Sequence, residues 1–470
     1  QEVVGGALND IWGSSAGMSG SGLGVGCTPS SAFAVVAGSG SNSRACQFCC
    51  GSAGDVAGRG SRLDFVSPHV VSGVFGMVAA VPSVFYRNRA RRGGRFRTTT
   101  QVNAKLCGAG VQLWEEVGKR SAESPRKEKL RGYDFWKSIG SPRFICAPMV
   151  NGSELAFRML TRHYGVELAY TPMINSNSFL QNRAYRRQRS SRFSTVPEDR
   201  PLIAQFAGDD ADTIIAAARH LQAHVDAIDL NLGCPEGIAR KGHYGAYLLE
   251  ETELVTEIVR QMDAELEVPV ACKIRKVSRD LQDTLRLAHA LQEAGCSVLC
   301  VHGRTKEEKK DQLGECDWDT IRIIKEQLSI PVVANGGIET YQDVLRCLEH
   351  TGCDGVMSSE ALLETPVLFS GQALPQDVIA EEYLQAASTY KAEPGQVRAH
   401  LFRLLYAGLR LHTDIRDQLV EARSLEDMAA AAAALRERRK KERVECIEPG
   451  ASWPDSGWYR RHRDPLKVTT

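Results

Sequence analysis

Between Arg143 and Ser359 the apolar residues gather into eight short runs: Arg143–Met149, Leu168–Thr171, Leu202–Phe206, Ala227–Asn231, Val270–Ile274, Val298–Val301, Val332–Asn335 and Gly355–Ser358. They are nearly continuous rather than alternating, as expected of parallel strands buried on both faces. Segments with apolar residues three and four apart separate most of them. Asp210–Leu221, Asp283–Ala294 and Asp319–Leu328 are examples, each opening on an aspartate that suits a helix N-terminus. This strand–helix alternation predicts an α/β fold with a parallel sheet, and eight units predict closure into a (β/α)8 TIM barrel. An open doubly wound sheet is the structural rival, but no GxGxxG follows the first run.

The pattern changes on both flanks. Residues 1–130 are rich in Gly, Ser and Ala. Up to Gly110 they carry four acidic residues against ten Lys and Arg, with six arginines between Arg87 and Arg97. Such a segment has too little apolar surface to fold alone, so a disordered, low-complexity extension is expected; its Ser- and Arg-rich, acid-poor character also fits an organelle transit segment. Val70–Tyr86 is uncharged, but Gly73, Gly76 and Pro82 interrupt it and no membrane span is expected. Beyond Phe369, the stretches Glu381–Leu384, Val397–Tyr406 and Leu425–Arg443 have helical spacing, the last with a strongly basic end. The expected organisation is an extension over 1–130, a barrel over 140–372, a small C-terminal helical domain over 375–443 and a tail over 444–470.

Charge is balanced, with 58 Lys and Arg against 57 Asp and Glu, so any contact with nucleic acid must come from local basic clusters. The 14 cysteines are scattered and several fall inside predicted strands (Cys146, Cys272, Cys300), a pattern of buried reduced thiols rather than of a disulfide framework. Cys46 and Cys49 form a CxxC without the second pair that a zinc ribbon needs, and no metal is expected. The expected state is a monomer in the cytoplasm or nucleus, the Arg- and Ser-rich segment leaving an organelle as the alternative.

The fourth run ends in Asn231-Leu232-Gly233-Cys234-Pro235. In a TIM barrel the C-terminal ends of strands carry the chemistry, so a thiol bracketed there by Gly and Pro is a candidate acid, nucleophile or metal ligand. The other strand ends bring Pro148, Met149, Gln205, Asn231, Lys273, Arg275, His302, Arg304, Asn335, Gly336, Gly337, Ser359 and Glu360 to the same rim. The ends of the seventh and eighth strands, the first followed by Gly336 and Gly337, are where such barrels bind phosphate through backbone N–H groups. An amide (Gln205) and a cation (Lys273) above the mouth then suit flavin mononucleotide, FMN, the Lys opposing the charge of the reduced ring and the Gln bonding its edge. Taken singly, a strand-end Lys is solvated, Asn-Gly-Gly is a turn and a lone Cys is core. Their joint placement in barrel order is what favours a site.

Asp229–Pro235, Lys241–Leu248, Cys272–Arg275, Val301–Thr305 and Ala334–Ile338 together resemble the tRNA-dihydrouridine synthases. The Gly242-His243-Tyr244-Gly245-Ala246 form and Val397–Phe402 are most similar to the eukaryotic branch acting on D-loop positions 16 and 17. The resemblance spans Ser141 to Arg443. It implies FMN contacts from Pro148, Met149, Val150, Gln205, Lys273, His302, Asn335, Gly336, Gly337, Ser359 and Glu360, with Cys234 as the catalytic acid. It implies as well NADPH or NADH as reductant and tRNA as partner; Asn231, Arg275 and Arg304 are the candidates for holding the substrate. Two positions depart from that branch: Asn335-Gly336-Gly337 stands where it has Asn-Gly-Asn, and Ser359-Glu360-Ala361 where it has Ala-Glu-Gly.

The chemistry agrees. Hydride delivery to uracil C6 leaves enolate character at C5, and a thiol of pKa about 8.5 is mostly protonated near neutrality and able to donate there. Arg183, Arg186, Arg187, Arg189, Arg192, Arg240 and Lys241 are expected to hold phosphates while a uridine is flipped in. So are Lys391, Arg398, Arg403, Arg410 and the run from Arg436 to Arg443 in the helical domain. The alternatives are a dihydroorotate-dehydrogenase-like flavoprotein acting on a free pyrimidine, disfavoured by those basic segments, and a non-catalytic RNA-binding barrel, disfavoured by the presence of both Cys234 and Lys273.

Overall fold

Nine parallel strands form one sheet: β1 (Phe144–Cys146), β2 (Leu168–Tyr170), β3 (Ile174–Asn175), β4 (Leu202–Ala207), β5 (Ala227–Leu232), β6 (Val270–Arg275), β7 (Cys296–His302), β8 (Val332–Asn335) and β9 (Gly355–Ser358). This computed structural model describes residues 129–187, 193–309 and 312–445. The Arg-rich extension, Cys46 and Cys49, Val70–Tyr86, Arg189, Arg192 and the tail lie outside them. From β3 to β9 each strand pairs with the next in chain order, β1 pairs with β2 and β9, and β2 pairs not with β3 but with β4, through Ala169↔Leu202 and Tyr170↔Ile203. Those last two pairings close the expected eight-stranded barrel.

The ninth strand, β3, was not anticipated. Pro172 has no N–H for a ladder and interrupts the chain after Tyr170. The backbone then resumes beside the end of β4, with Ile174 opposite Phe206. Ile145, Leu168, Tyr170, Ile203, Ala227, Ala271, Val298, Cys300, Val333 and Met357 fill the barrel, all almost fully buried. Phe135 and Trp136 join this core from a helix, Gly132–Ser138, which lies before the expected barrel boundary. The cysteines of the described residues are all free thiols, most of them buried. No helix among the described residues is long and apolar enough to cross a membrane.

Five helices follow the barrel: Gln376–Thr389, Pro394–Leu404, Tyr406–Leu411, Thr413–Glu421 and Leu425–Glu445. The first packs on the barrel helix Leu155–His163. A buried polar bridge fastens the two layers. The Glu154 carboxylate accepts from Tyr383 Oη at 2.8 Å and meets His400 Nε2 at 3.0 Å, while the His400 ring lies between Phe157 and Tyr383 at 4.6 Å from each. Burial works against ionisation of Glu154, but His400 and Tyr383 outweigh it and hold the carboxyl at about 2.

The basic residues here are less available than the sequence suggested. Arg436 pairs with Asp377 and Glu381, Arg438 with Asp414 and Lys440 with Glu437. Arg398 donates to the Ala422 carbonyl and Arg403 to that of Asn151. Arg436 and Arg438 therefore tie the last helix to its neighbours, while Lys440 pairs within it. A count of charges along the chain carries no sign of the partners of Arg436 and Arg438, which come from other helices.

Glu154→Ala should leave two buried donors unpaired and cost about 3 kcal/mol in urea-induced unfolding, with Glu154→Gln costing less because an acceptor remains. The folded carboxyl sits below its ordinary value of 4.5, so its contribution is complete above that value and fades as pH falls towards about 2. An alanine variant as stable as the parent at pH 7 would mean that the bridge holds nothing.

Candidate active site

Ladder register places the expected site residues side by side. Gln205 is opposite Asp229, Asn231 opposite Lys273, Arg275 opposite His302, His302 opposite Asn335, and Ser358 opposite Cys146. Within this ring a chain of hydrogen bonds links the adjacent strands β4 and β5 to the loop after β5. Gln205 Nε2 donates to Asp229 Oδ2 at 2.9 Å, and Asn231 Nδ2 donates to Gln205 Oε1 at 2.7 Å. Asn231 Oδ1 then accepts the backbone N–H groups of Gly233 and Cys234, each at 3.0 Å. Gln205 is thus held on both sides, with one amide hydrogen left over.

Burial pushes the Asp229 carboxyl up to about 7, against the opposing pull of the Gln205 hydrogen bond and the Lys273 charge; its Oδ1 has no hydrogen-bond partner. Lys273 makes no hydrogen bond or ion pair with any described residue, and burial draws its ammonium below the usual lysine value. His302 is pushed well below the ordinary histidine range by burial and by Arg275, Lys273 and Arg304, so its imidazole is neutral. The two arginines differ. Arg275 spends its guanidinium on the carbonyls of Gly233 (3.0 Å) and Thr305 (2.8 Å), fastening two loops. Arg304 donates to the Gly314 carbonyl at 2.8 Å and keeps a buried Nη2 without a partner.

The cysteine loop is fixed from several directions. The Cys234 carbonyl accepts from Ala246 N–H at 3.0 Å, and the Pro235 carbonyl accepts from Tyr247 Oη at 3.0 Å and from Lys309 Nζ. Gly245 lies against it at φ +72°; a Cβ there would stand 2.7 Å from the Cys234 oxygen, so only glycine fits. Cys234 packs against the cluster of Ala207, Ala239 and Tyr244, as do Met173 and Tyr247, and burial raises its thiol above the ordinary cysteine value. His243 bridges Asp209 (Nδ1, 2.8 Å) and Glu251 (Nε2, 2.7 Å), pinning the segment that carries Gly245 to two neighbouring elements. Hydrogen bonds to both carboxylates raise its pKa.

At the ends of β8 and β9, Asn335 Nδ2 donates to the Met357 carbonyl at 2.9 Å and Trp318 Nε1 to that of Gly336 at 3.0 Å. Gly336 and Gly337 have φ +99° and +74°. A Cβ on Gly337 would come within 2.9 Å of Cys316 Cβ, which accounts for a glycine where the resembled branch has Asn. Ser358 Oγ is buried without a partner, Ser359 precedes the short helix Glu360–Glu364, and Ala361 is buried. Pro148 and Met149 are half-buried beside the mouth, whereas Val150 is 48 % exposed. Arg240, Lys241 and Arg183 are exposed on adjoining segments; nothing is described of the Arg186 and Arg187 side chains.

Sequence reasoning passed over Asp229, Tyr247, Lys309 and the pair Cys316–Trp318. Asp229 had a visible signal, a carboxylate two residues before Asn231 in an otherwise apolar strand and so on the same face. Tyr247 and Lys309 reach the cysteine loop, and Cys316 and Trp318 the turn at Asn335–Gly337, from positions that no local pattern connects to them.

Residues 145–446 match the dihydrouridine synthase (Dus) family model. A mouse protein, a "tRNA-dihydrouridine(16/17) synthase [NAD(P)(+)]-like", is 42 % identical over 334 residues, covering 70 % of this chain and 70 % of its own length. A tRNA-dihydrouridine(16/17) synthase [NAD(P)(+)] of Schizosaccharomyces pombe is 40 % identical over 340 residues, 69 % of this chain and 84 % of that protein. A human "tRNA-dihydrouridine(20a/20b) synthase [NAD(P)+]-like" protein is 42 % identical over 230 residues, covering 48 % of this chain and 70 % of the human one. With the barrel and the cysteine loop, these similarities establish that the chain belongs to the dihydrouridine synthase family.

Proposed function

We propose that this protein reduces the C5=C6 bond of uridine in tRNA at D-loop positions 16 and 17, with FMN as cofactor and NADPH or NADH as reductant, and acts as a monomer. The observation that carries the reading is a protonated thiol held on the Asn-Leu-Gly-Cys-Pro loop beside an unpartnered ammonium, Lys273, at the barrel mouth. The 16/17 assignment rests on similarity that covers more of the chain, 70 % and 69 %, than the 48 % covered by the similarity to the 20a/20b protein.

The residues present suit FMN. The unpaired polar atoms Asp229 Oδ1, Arg304 Nη2 and Ser358 Oγ, together with the Lys273 cation, leave donors, acceptors and positive charge unspent in this part of the barrel. The positive-φ glycines 336 and 337 let backbone approach a ligand closely. Lys273, Gln205, His302, Asn335, Gly336, Gly337, Ser359 and Glu360, with Pro148, Met149 and Val150 on the β1 side, would hold the cofactor. Bound there, reduced flavin supplies the hydride.

The remaining chemistry belongs to the chain. Hydride at uracil C6 places negative charge on C5 and the C4 carbonyl, and the Cys234 S–H gives its proton to C5, completing addition of two hydrogens. The buried thiol stays protonated at working pH, as an acid must. Asn231 holds the loop's N–H groups and Arg275 its Gly233 carbonyl, so the sulfur is aimed before substrate arrives. Arg304 retains a free N–H for the substrate, and Arg183, Arg240 and Lys241 offer exposed charge to phosphates.

Cys234→Ala should keep its flavin and let NADPH reduce it, while dihydrouridine formation on unmodified tRNA, measured by mass spectrometry, falls about a hundredfold or more. Normal product from that variant would remove the general-acid role. Lys273→Ala should weaken flavin retention by about tenfold to a hundredfold, read from the absorbance of the purified protein and from titration with FMN. Full flavin content and unaltered turnover would refute the pocket assigned above. His243 has a raised pKa, so its bridge stabilises the fold below the ordinary histidine value and loses that effect as pH rises through the raised one. His243→Ala should therefore melt below the parent at pH 6, with the deficit shrinking as pH rises through the raised value; equal melting at pH 6 would show the bridge to be idle.

A further inference from the structure

Outside the cysteine loop lies a cavity of about 430 Å3. Asn175–Ser178, Gln181 and Asn182 line one side, Gly208–Asp210 and Thr213 the other, and Gly242 its edge. The volume suits a ligand the size of one nucleoside. Its lining segments continue into the active site. Met173, two residues before Asn175, packs like Cys234 against the cluster of Ala207, Ala239 and Tyr244 and sets its sulfur 3.1 Å from Asn231 Nδ2. Gly242 precedes by three residues the Gly245 that abuts Cys234.

The lining disfavours a phosphate and suits the edge of a base. No cation among the described residues contributes to it. The N-terminus of the helix Ala211–Arg219 is already capped by Asp210, which accepts from Thr213 N–H at 2.9 Å. Asp209 adds a second carboxylate, fixed from behind by His243, and its Oδ1 has no hydrogen-bond partner among the described residues. The exposed amides of Asn177 and Gln181 likewise bond to no described residue. A carboxylate acceptor beside two free amides complements a base that carries an exocyclic amine next to a ring nitrogen. Among the described residues positive charge flanks the rims, with Arg183 just past Asn182 and Arg240 and Lys241 just before Gly242. An uncharged-to-acidic floor between cationic rims fits a nucleotide within a strand, its base inward and its phosphates outward.

We propose that this cavity is a subsite for a second, unreduced nucleobase of the RNA substrate (adenine, guanine or cytosine) near the uridine that meets Cys234. The inference rests on the reading of tRNA as substrate. Uracil lacks the amine, so such a subsite would help to select which uridine enters the barrel by what lies beside it.

The test uses the full-length, flavin-loaded protein and an unmodified tRNA transcript. Asn177→Ala and Gln181→Ala, both at exposed positions, should each weaken tRNA binding and raise KM by about five- to fiftyfold. Flavin content and reduction by NADPH should not change, nor should the slope of affinity against salt, because no phosphate contact is removed. Arg183→Ala should instead make that slope shallower by about one ion. Unchanged affinity and KM in both amide variants would overturn the subsite; a loss accompanied by a shallower salt slope would overturn it too, by making the contact a phosphate one. Binding is measured without reductant, so a parent protein that binds tRNA but forms no dihydrouridine would count against the catalytic reading alone.

Discussion

The Asn231 carboxamide accepts the N–H groups of Gly233 and Cys234 and donates to Gln205, which in turn donates to Asp229. One side chain thereby couples the rigid interior of a parallel barrel to the backbone of the loop that carries the thiol. A loop with glycine on one side of the cysteine and proline on the other has few strong local preferences for the sulfur's direction. The carboxamide supplies that direction, and Arg275, Lys309, Tyr247 and Ala246 hold the carbonyls that remain. Removing the side chain would leave two backbone donors and the Gln205 acceptor without partners in a largely buried place, so the cost would fall on loop geometry as much as on stability.

Electrostatics at the mouth follow from the same packing. Lys273, Arg275 and Arg304 stand within a few strands of one another, and the buried imidazole among them stays neutral because a fourth positive charge there is too costly. Burial alone would also favour a neutral Lys273; Asp229 below it pulls the other way. A barrel end with this excess of positive charge is prepared for an anionic ligand and poorly suited to a cationic one.

Much of this was legible in the sequence because parallel barrels write their strands as apolar runs and place reactive residues at fixed ends. The positions of Cys234, Lys273, Gln205 and Asn335 followed from that rule alone. Strand β3 was hidden because Thr171-Pro172 reads as a terminus, and Ile174-Asn175 is too short to show a period. The helix Gly132–Ser138 was hidden because its buried pair, Phe135 and Trp136, spans less than one turn. The ion pairing of the last helix was hidden for a different reason. The basic run is plain in the sequence, but Asp377, Glu381 and Asp414 reach Arg436 and Arg438 only through the tertiary fold.

The bridge of Glu154, Tyr383 and His400 bears on how freely the C-terminal helices can be exchanged between relatives. Its acceptor belongs to the barrel and its two donors to the appended helices, so neither part presents a finished surface by itself. A chimera that joined this barrel to helices lacking the donors would carry a buried carboxylate with nothing to bond; the reverse exchange would strand a tyrosine and a histidine. Barrel and helices therefore constitute one inheritable unit, and variation in RNA preference is easier to accommodate in the loops and rims around the barrel mouth than by replacing the bundle.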